Sequence, residues 1–165
     1  MRWIIWIVAA IAIAAVIVVI VGYSLPKGHT ATRTTTLPLP PAAVYALLAD
    51  VDRYPSWRPD VKSLQRHADR DGRPAWTEEA SGMKIPLYFE KMEPPHLLVA
   101  RIADPSLPFG GTWTYRVAPA ASGSEVTITE DGEVSNPFFR FMSRFVFGHT
   151  ATLDAFVKHL ESRAK

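Results

Sequence analysis

From Trp3 to Tyr23 the chain carries no charged residue: WIIWIVAAIAIAAVIVVIVGY. A helix over this run rises about 1.5 Å per residue and reaches roughly 30 Å, the thickness of a bilayer core. Trp3, Trp6 and Tyr23 stand near its ends, where aromatic rings sit between lipid and water. A helix buried in a soluble core would be shorter and one-sided. A cleavable signal peptide is the rival reading, with Gly22 and Ser24 as a weak small-x-small site. The run is too long for a typical signal-peptide apolar region of about 7–15 residues. Residues 1–23 are therefore expected to be an uncleaved, single-pass transmembrane anchor.

The anchor divides the chain. Residues 24–30 (SLPKGHT) read as a linker that reaches at most about 25 Å, so residues 31–165 form a domain held near the headgroups. Sidedness is close to a tie. Arg2 and the α-amine flank one end, Lys27 and Arg33 the other, with a lean toward a domain outside the cytoplasm.

Charge and chemistry-bearing residues exclude several functions. The formal net charge is +2 and no basic run stands out, which argues against nucleic acid as a partner. There is no Cys, so disulfides, thiolate metal sites and a Cys nucleophile are excluded. His29, His67, His96, His149 and His159 lack metal-ligand spacing, and no metal or cofactor is expected. Nucleophile-elbow, P-loop and dinucleotide fingerprints are absent from the sequence.

The last segment, Asn136 to Leu160, reads as one long helix. Asn136 is the N-cap and Pro137 suits the first helical position. Phe138, Phe141, Met142, Phe145, Leu153, Phe156 and Leu160 recur at helical spacing. This apolar arc, crowded with Phe, is wider than packing on a small sheet needs. Part of it can pack as core and part can line a cavity.

Before it come strand signals. Ala31 to Leu37 is Thr-rich and strand-like, and Pro41 to Ala49 is a short helix. Asp50 to Pro59 is a turn or second short helix that carries Trp57. Then Val61–Ala68, Ala75–Ala80, Met83–Lys91, His96–Ile102, Gly111–Val117 and Ser124–Val134 read as strands, parted by turn residues such as Asp71-Gly72. Short turns imply an antiparallel meander of about seven strands, curled around the final helix.

Three stretches carry a resemblance to a known family. They are TTTLPLPPAAVYALLADVDRYPSW, TWTYRVAP, and VTITEDGEVSNPFFRFMSRFVFGHTATLDAFVKHL. The chain resembles the START-like, helix-grip superfamily, in its polyketide cyclase/dehydrase and lipid-transport branch (SRPBCC proteins). The resemblance spans roughly Thr30 to Leu160. It implies an α+β fold, a curved antiparallel sheet around a long C-terminal helix, with a deep apolar cavity between them. It also implies binding of lipids, sterols, polyketides or other hydrophobic molecules, with only some members acting as enzymes. The anchor departs from the commonest soluble form and favours work at one bilayer.

A ligand cavity needs apolar walls and a few placed polar groups. The expected wall residues are Trp57, Trp76, Leu87, Phe89, Leu98, Trp113, Tyr115, Phe141 and Phe145, with His149 on the inner side of the final helix. Ile85, Ala100 and Ile102 share their faces. Glu130 has the parity of Val126 and Ile128, so it either points inward as a polar anchor or acid/base, or lies solvated past the strand end. Arg101 falls on the outer face.

Three functions follow. The first is membrane-anchored binding of a hydrophobic small molecule taken from the bilayer, with Leu107 and Phe109 near the cavity mouth. The second is a cyclase or dehydratase using the same cavity through Glu130 or His149. The third is a filled-core interaction protein with an unidentified membrane partner, helped by the anchor's alanines.

Overall fold

The computed structural model of the protein describes residues 2–80, 82–148 and 150–165. Helix α1 covers Arg2–Ser24, and a 7-stranded antiparallel sheet follows it. The strands are β1 (Gly28–Leu37), β2 (Val61–Arg66), β3 (Ala75–Ala80), β4 (Met83–Glu93), β5 (Leu97–Ile102), β6 (Phe109–Ala120) and β7 (Gly123–Val134). Their spatial order is β1-β7-β6-β5-β4-β3-β2, a meander closed by β1 pairing back onto β7. Between β1 and β2 lie α2 (Pro41–Ala49), a 3₁₀ turn (Val51–Arg53) and α3 (Tyr54–Trp57).

β1 begins at Gly28, so the last residues expected of a linker already pair with β7. Thr30, Thr32, Thr34 and Thr36 of this strand point outward, while Thr35 faces α5. Thr32 and Thr34 meet Thr129 and Thr127 at 3.1 Å each, cross-strand hydroxyl pairs that β-branched side chains favour. On the inner face Ala31 and Leu37 are buried.

The expected single C-terminal helix is instead three pieces. α4 spans Pro137–Met142, a π-helical turn spans Ser143–Phe147, and α5 spans Ala151–Arg163. Asn136 caps α4 as expected, its side-chain oxygen accepting from the N–H groups of Phe138 (2.9 Å) and Phe139 (3.3 Å). The helical path ends at Gly148, whose φ of 78° and ψ of 153° are not helical. Glycine adopts this left-handed φ without a Cβ clash. Periodicity alone ran across the break because apolar spacing resumes in register on the far side.

Two helices close the inner face. α2 leaves from the end of β1, packs on β5, β6 and β7, and buries Val44, Tyr45 and Leu48. α5 lies across β1 and buries Leu153, Phe156 and Leu160. Arg33 forms an ion pair with Asp154, and Thr35 donates to Glu161 at 2.6 Å, tying α5 to that strand. α1 enters at the opposite end of β1 and packs only its last turns on the rest, against α4. By length and composition α1 can cross a bilayer, a test that an N-terminal signal sequence also passes.

Candidate site on the concave face of the sheet

The alternation of each strand sends Trp76, Leu87, Phe89, Leu98, Trp113, Tyr115 and Glu130 to the same concave face. That face has two halves. In the half covered by α2, α3 and α5, rings fill the space between helix and sheet. Phe156 of α5 lies 5.7 Å from Trp57, 5.5 Å from Trp113 and 5.5 Å from Tyr115. Tyr54 meets Trp57 and Trp76 edge-on, and Trp76 packs on Phe89 at 4.9 Å. Trp57, Trp76, Phe89, Leu98 and Tyr115 are all buried in this cluster. As expected cavity walls they touch one another across the space a cavity would need.

The other half is less completely covered. Register aligns His29, Gly132 and Gly111 across β1, β7 and β6, while Leu87 pairs with Ile102 across β4 and β5. Glu130 and Trp113 stand one step further in, paired with each other. Ile85, Leu87, Ile102, Trp113 and Glu130 are only half-buried. Gly111 and Gly132 put no side chain on this strip. A Cβ on Gly132 would run into the His29 ring, so the glycine makes room for the imidazole. The strip lies toward the end of the sheet where α1 joins.

Glu130 is the polar group of this strip. Its side chain keeps 17% of its exposure, and His29 Nε2 lies 3.6 Å from Oε1. Its Oε2 is buried without a hydrogen-bond partner. Burial pushes the carboxyl up from its ordinary 4.5 to about 7, because desolvation penalises the charged form. Folding therefore favours the protonated acid. Between pH 4.5 and 7 the unfolded chain releases this proton while the folded one holds it, so stability falls as pH rises. Glu130→Gln is expected to raise stability on the order of 2 kcal/mol at pH 8 and to leave it unchanged at pH 4, read by denaturant unfolding at both pH values.

The remaining expected site residues fall elsewhere. Phe141 is half-buried on α4, and Phe145, 4.9 Å from it, is 59% exposed. His149 lies outside the described residues. Arg101 is on the convex face, where it grips Glu90 through two bonds of 2.9 Å. Recesses of about 400 and 620 Å³ open on that convex face, around Tyr88, Arg101 and Thr112. Among the described residues no His, Cys, Asp and Glu group is arranged to hold a metal.

Sequence reasoning missed a buried charge network beneath the ring cluster. Arg58 reaches Glu78 Oε1 at 3.1 Å and Asp60 Oδ2 at 2.8 Å, and its guanidinium lies over the rings of Tyr54 and Phe156. Trp76 Nε1 donates to the same Glu78 oxygen at 3.0 Å. Burial opposes the charge on Arg58, but Glu78 and the bond to Asp60 outweigh it and hold the guanidinium firmly charged. Burial likewise works against the Asp60 carboxylate, and the Arg58 bond and charge more than offset it, lowering its pKa. One signal was present: Glu78 has the inward parity of Trp76, and a carboxylate there demands a cation.

Comparison with known proteins agrees with this architecture. A search of curated proteins returns no match. Among solved structures, a START superfamily protein from Mycobacterium smegmatis superposes with a TM-score of 0.66 at 18% identity, over 82% of this chain and 97% of that one. The protein TTHA0849 from Thermus thermophilus gives 0.59 at 26% identity, over 83% and 96%. The di-domain ARO/CYC BexL from the BE-7585A biosynthetic pathway gives 0.69 at 13% identity, over 100% of this chain but 60% of that one. The family model described as polyketide cyclase / dehydrase and lipid transport matches residues 28–164, and the chain belongs to that family.

Proposed function

We propose that this chain is a membrane-anchored binding protein for a hydrophobic small molecule, a lipid or a polyketide-like compound. The guest lies on the strip formed by Leu87, Ile102 and Trp113, with Glu130 as its polar anchor. In this reading residues 1–23 are the anchor and residues 31–165 the ligand-binding domain. The observation that carries it is the unequal filling of the concave face. One half is packed by aromatic rings, while the half next to α1 leaves apolar side chains half-covered around a carboxyl with an unpartnered oxygen. Apolar walls with one placed polar group are what a small-molecule site needs. A protonated Glu130 donates to a hydroxyl or carbonyl oxygen of the guest at neutral pH and below. The anchor supports the choice of guest, since α1 ends beside the less covered half and the bilayer is then the nearest source of apolar molecules.

Native mass spectrometry of the full-length protein in detergent tests this reading. The expected result is a stoichiometric adduct, identified by solvent extraction as a lipid or polyketide-like molecule and lost in Leu87→Glu. A clean apo mass after incubation with total lipid extract would count against it.

The environment of Glu130 favours a second reading, an enzyme of cyclase or dehydratase type. An acid titrating at about 7 beside an apolar strip suits proton transfer. Turnover of a bound guest that Glu130→Gln abolishes, with binding retained, would select this reading over binding alone.

A further inference from the structure

We infer that α4 and the π-helical turn form a second membrane contact, an aromatic wedge set into the same leaflet as the end of α1. The inference rests on the reading of α1 as a membrane anchor.

Over the last turns of α1 nearly every large side chain is exposed, but Val18, Val21, Gly22 and the following Leu25 are not. They stand at i, i+3, i+4 and i+7, one stripe of the helix. α4 is the element packed on that stripe. The fit at Gly22 is close, and a Cβ there would collide with the Pro137 carbonyl. Arg140 fixes the arrangement. It is buried, and its guanidinium donates to the Leu25 carbonyl at 3.0 Å and to the Ser135 carbonyl at 2.9 Å. Moving α4 away from α1 breaks the Arg140–Leu25 bond and the close fit of Gly22 on Pro137.

This packing sets the depth of α4. Val18 and Val21 lie inside the charge-free run, and Val18 is about 9 Å along the axis from Ser24. If α1 crosses a bilayer, whatever covers Val18 and Val21 sits at the boundary of hydrocarbon and headgroups. α4 and the turn after it expose Phe138 (48%), Phe139 (47%), Phe145 (59%) and Val146 (58%) there. In water this cluster is an unfavourable apolar patch. At the interface each ring leaves water, a transfer that becomes more favourable with the apolar area buried. Exposed Arg144 lies on the same turn, suited to lipid phosphate. The wedge gives the domain a second attachment, so its half-covered strip keeps a fixed attitude to the bilayer rather than turning on the short connection after Ser24.

The absence of Cys allows single-site labelling of the full-length protein. Phe139→Cys, Ile11→Cys and Glu125→Cys would each carry an environment-sensitive fluorophore in vesicles of phosphatidylcholine and phosphatidylglycerol containing nitroxide-labelled lipid. Ile11 is in mid-anchor, and Glu125 is exposed near the far end of the sheet. The inference expects quenching of Phe139→Cys by shallow nitroxides several-fold above that at Glu125→Cys, together with quenching of Ile11→Cys by deep ones. Quenching at Ile11→Cys with none at Phe139→Cys overturns the wedge and leaves the anchor standing. No quenching at Ile11→Cys overturns the anchor reading and the wedge with it.

Discussion

Phe156→Ala is expected to destabilise the domain by about 3–5 kcal/mol, the range for deleting a fully packed ring. Phe156 is 4% exposed and touches Trp57, Trp113 and Tyr115 from one side of α5. These rings are rigid and held by α3 and β6, so they cannot collapse into the void. The Arg58 guanidinium also lies 5.3 Å above this ring, and its removal takes away a cation–π partner. Denaturant unfolding of the full-length protein in detergent gives the measurement. Phe139→Ala is the comparison, an exposed ring of the same size expected to change stability by about 0.5 kcal/mol or less. Equal effects at the two positions would mean that the aromatic cluster does not hold α5 to the sheet.

Glu78→Ala is expected to cost about 3 kcal/mol, for a different reason. The side chains of Arg58 and Glu78 keep 13% and 7% of their exposure. Removing the carboxylate leaves a buried cation with Asp60 as its remaining ion-pair partner, and leaves Trp76 Nε1 without its acceptor. Breaking one side of a buried pair typically costs about 3–5 kcal/mol, and the surviving Asp60 bond brings the figure to the low end. Replacing both partners at once removes the orphaned charge. The Arg58→Met, Glu78→Leu double variant is therefore expected to recover most of the loss, again by denaturant unfolding. A double variant as unstable as Glu78→Ala would show that the pair itself, and not the unpaired charge, carries the stability.

The two variants bear on what the sequence allowed one to read. Strand faces were legible because side-chain period 2 needs no tertiary information, and Trp113, Tyr115 and Leu87 point where alternation sends them, whereas for Glu130 the sequence left inward and solvated placements open. The seven-stranded meander was legible from short Gly-, Pro- and Asp-containing turns. The break at Gly148 was not, because a helical stripe continues across it and one glycine costs a helix only about 1 kcal/mol. Nor was the filling of the concave face. That Phe156 closes the space beside Trp57 and Tyr115 depends on the distance of α5 from the sheet, which Arg33–Asp154 and Thr35–Glu161 set. The same ambiguity hid the role of the Phe-rich segment. Phe138 and Phe145 fit a core stripe by spacing, whereas the structure leaves both exposed on the segment packed beside α1. Arg58 lies in the polar Asp50–Pro59 stretch, and the turn that seats Trp57 carries it into the core beside Glu78.

Where an apolar guest sits on the protein can be mapped by photocrosslinking. Membranes carrying the full-length protein would be supplied with a fatty-acyl or isoprenoid probe bearing a photoactivatable diazirine, irradiated, and the adducts mapped by peptide mass spectrometry. Adducts are expected on the β4, β5 and β6 peptides that contain Leu87, Ile102 and Trp113. Excess unlabelled lipid extract should compete them away, and Leu87→Glu should abolish them. Adducts confined to α1 and the Phe138–Val146 segment would mean that the protein only touches bulk lipid, and would contradict the proposal of a binding site on the concave face.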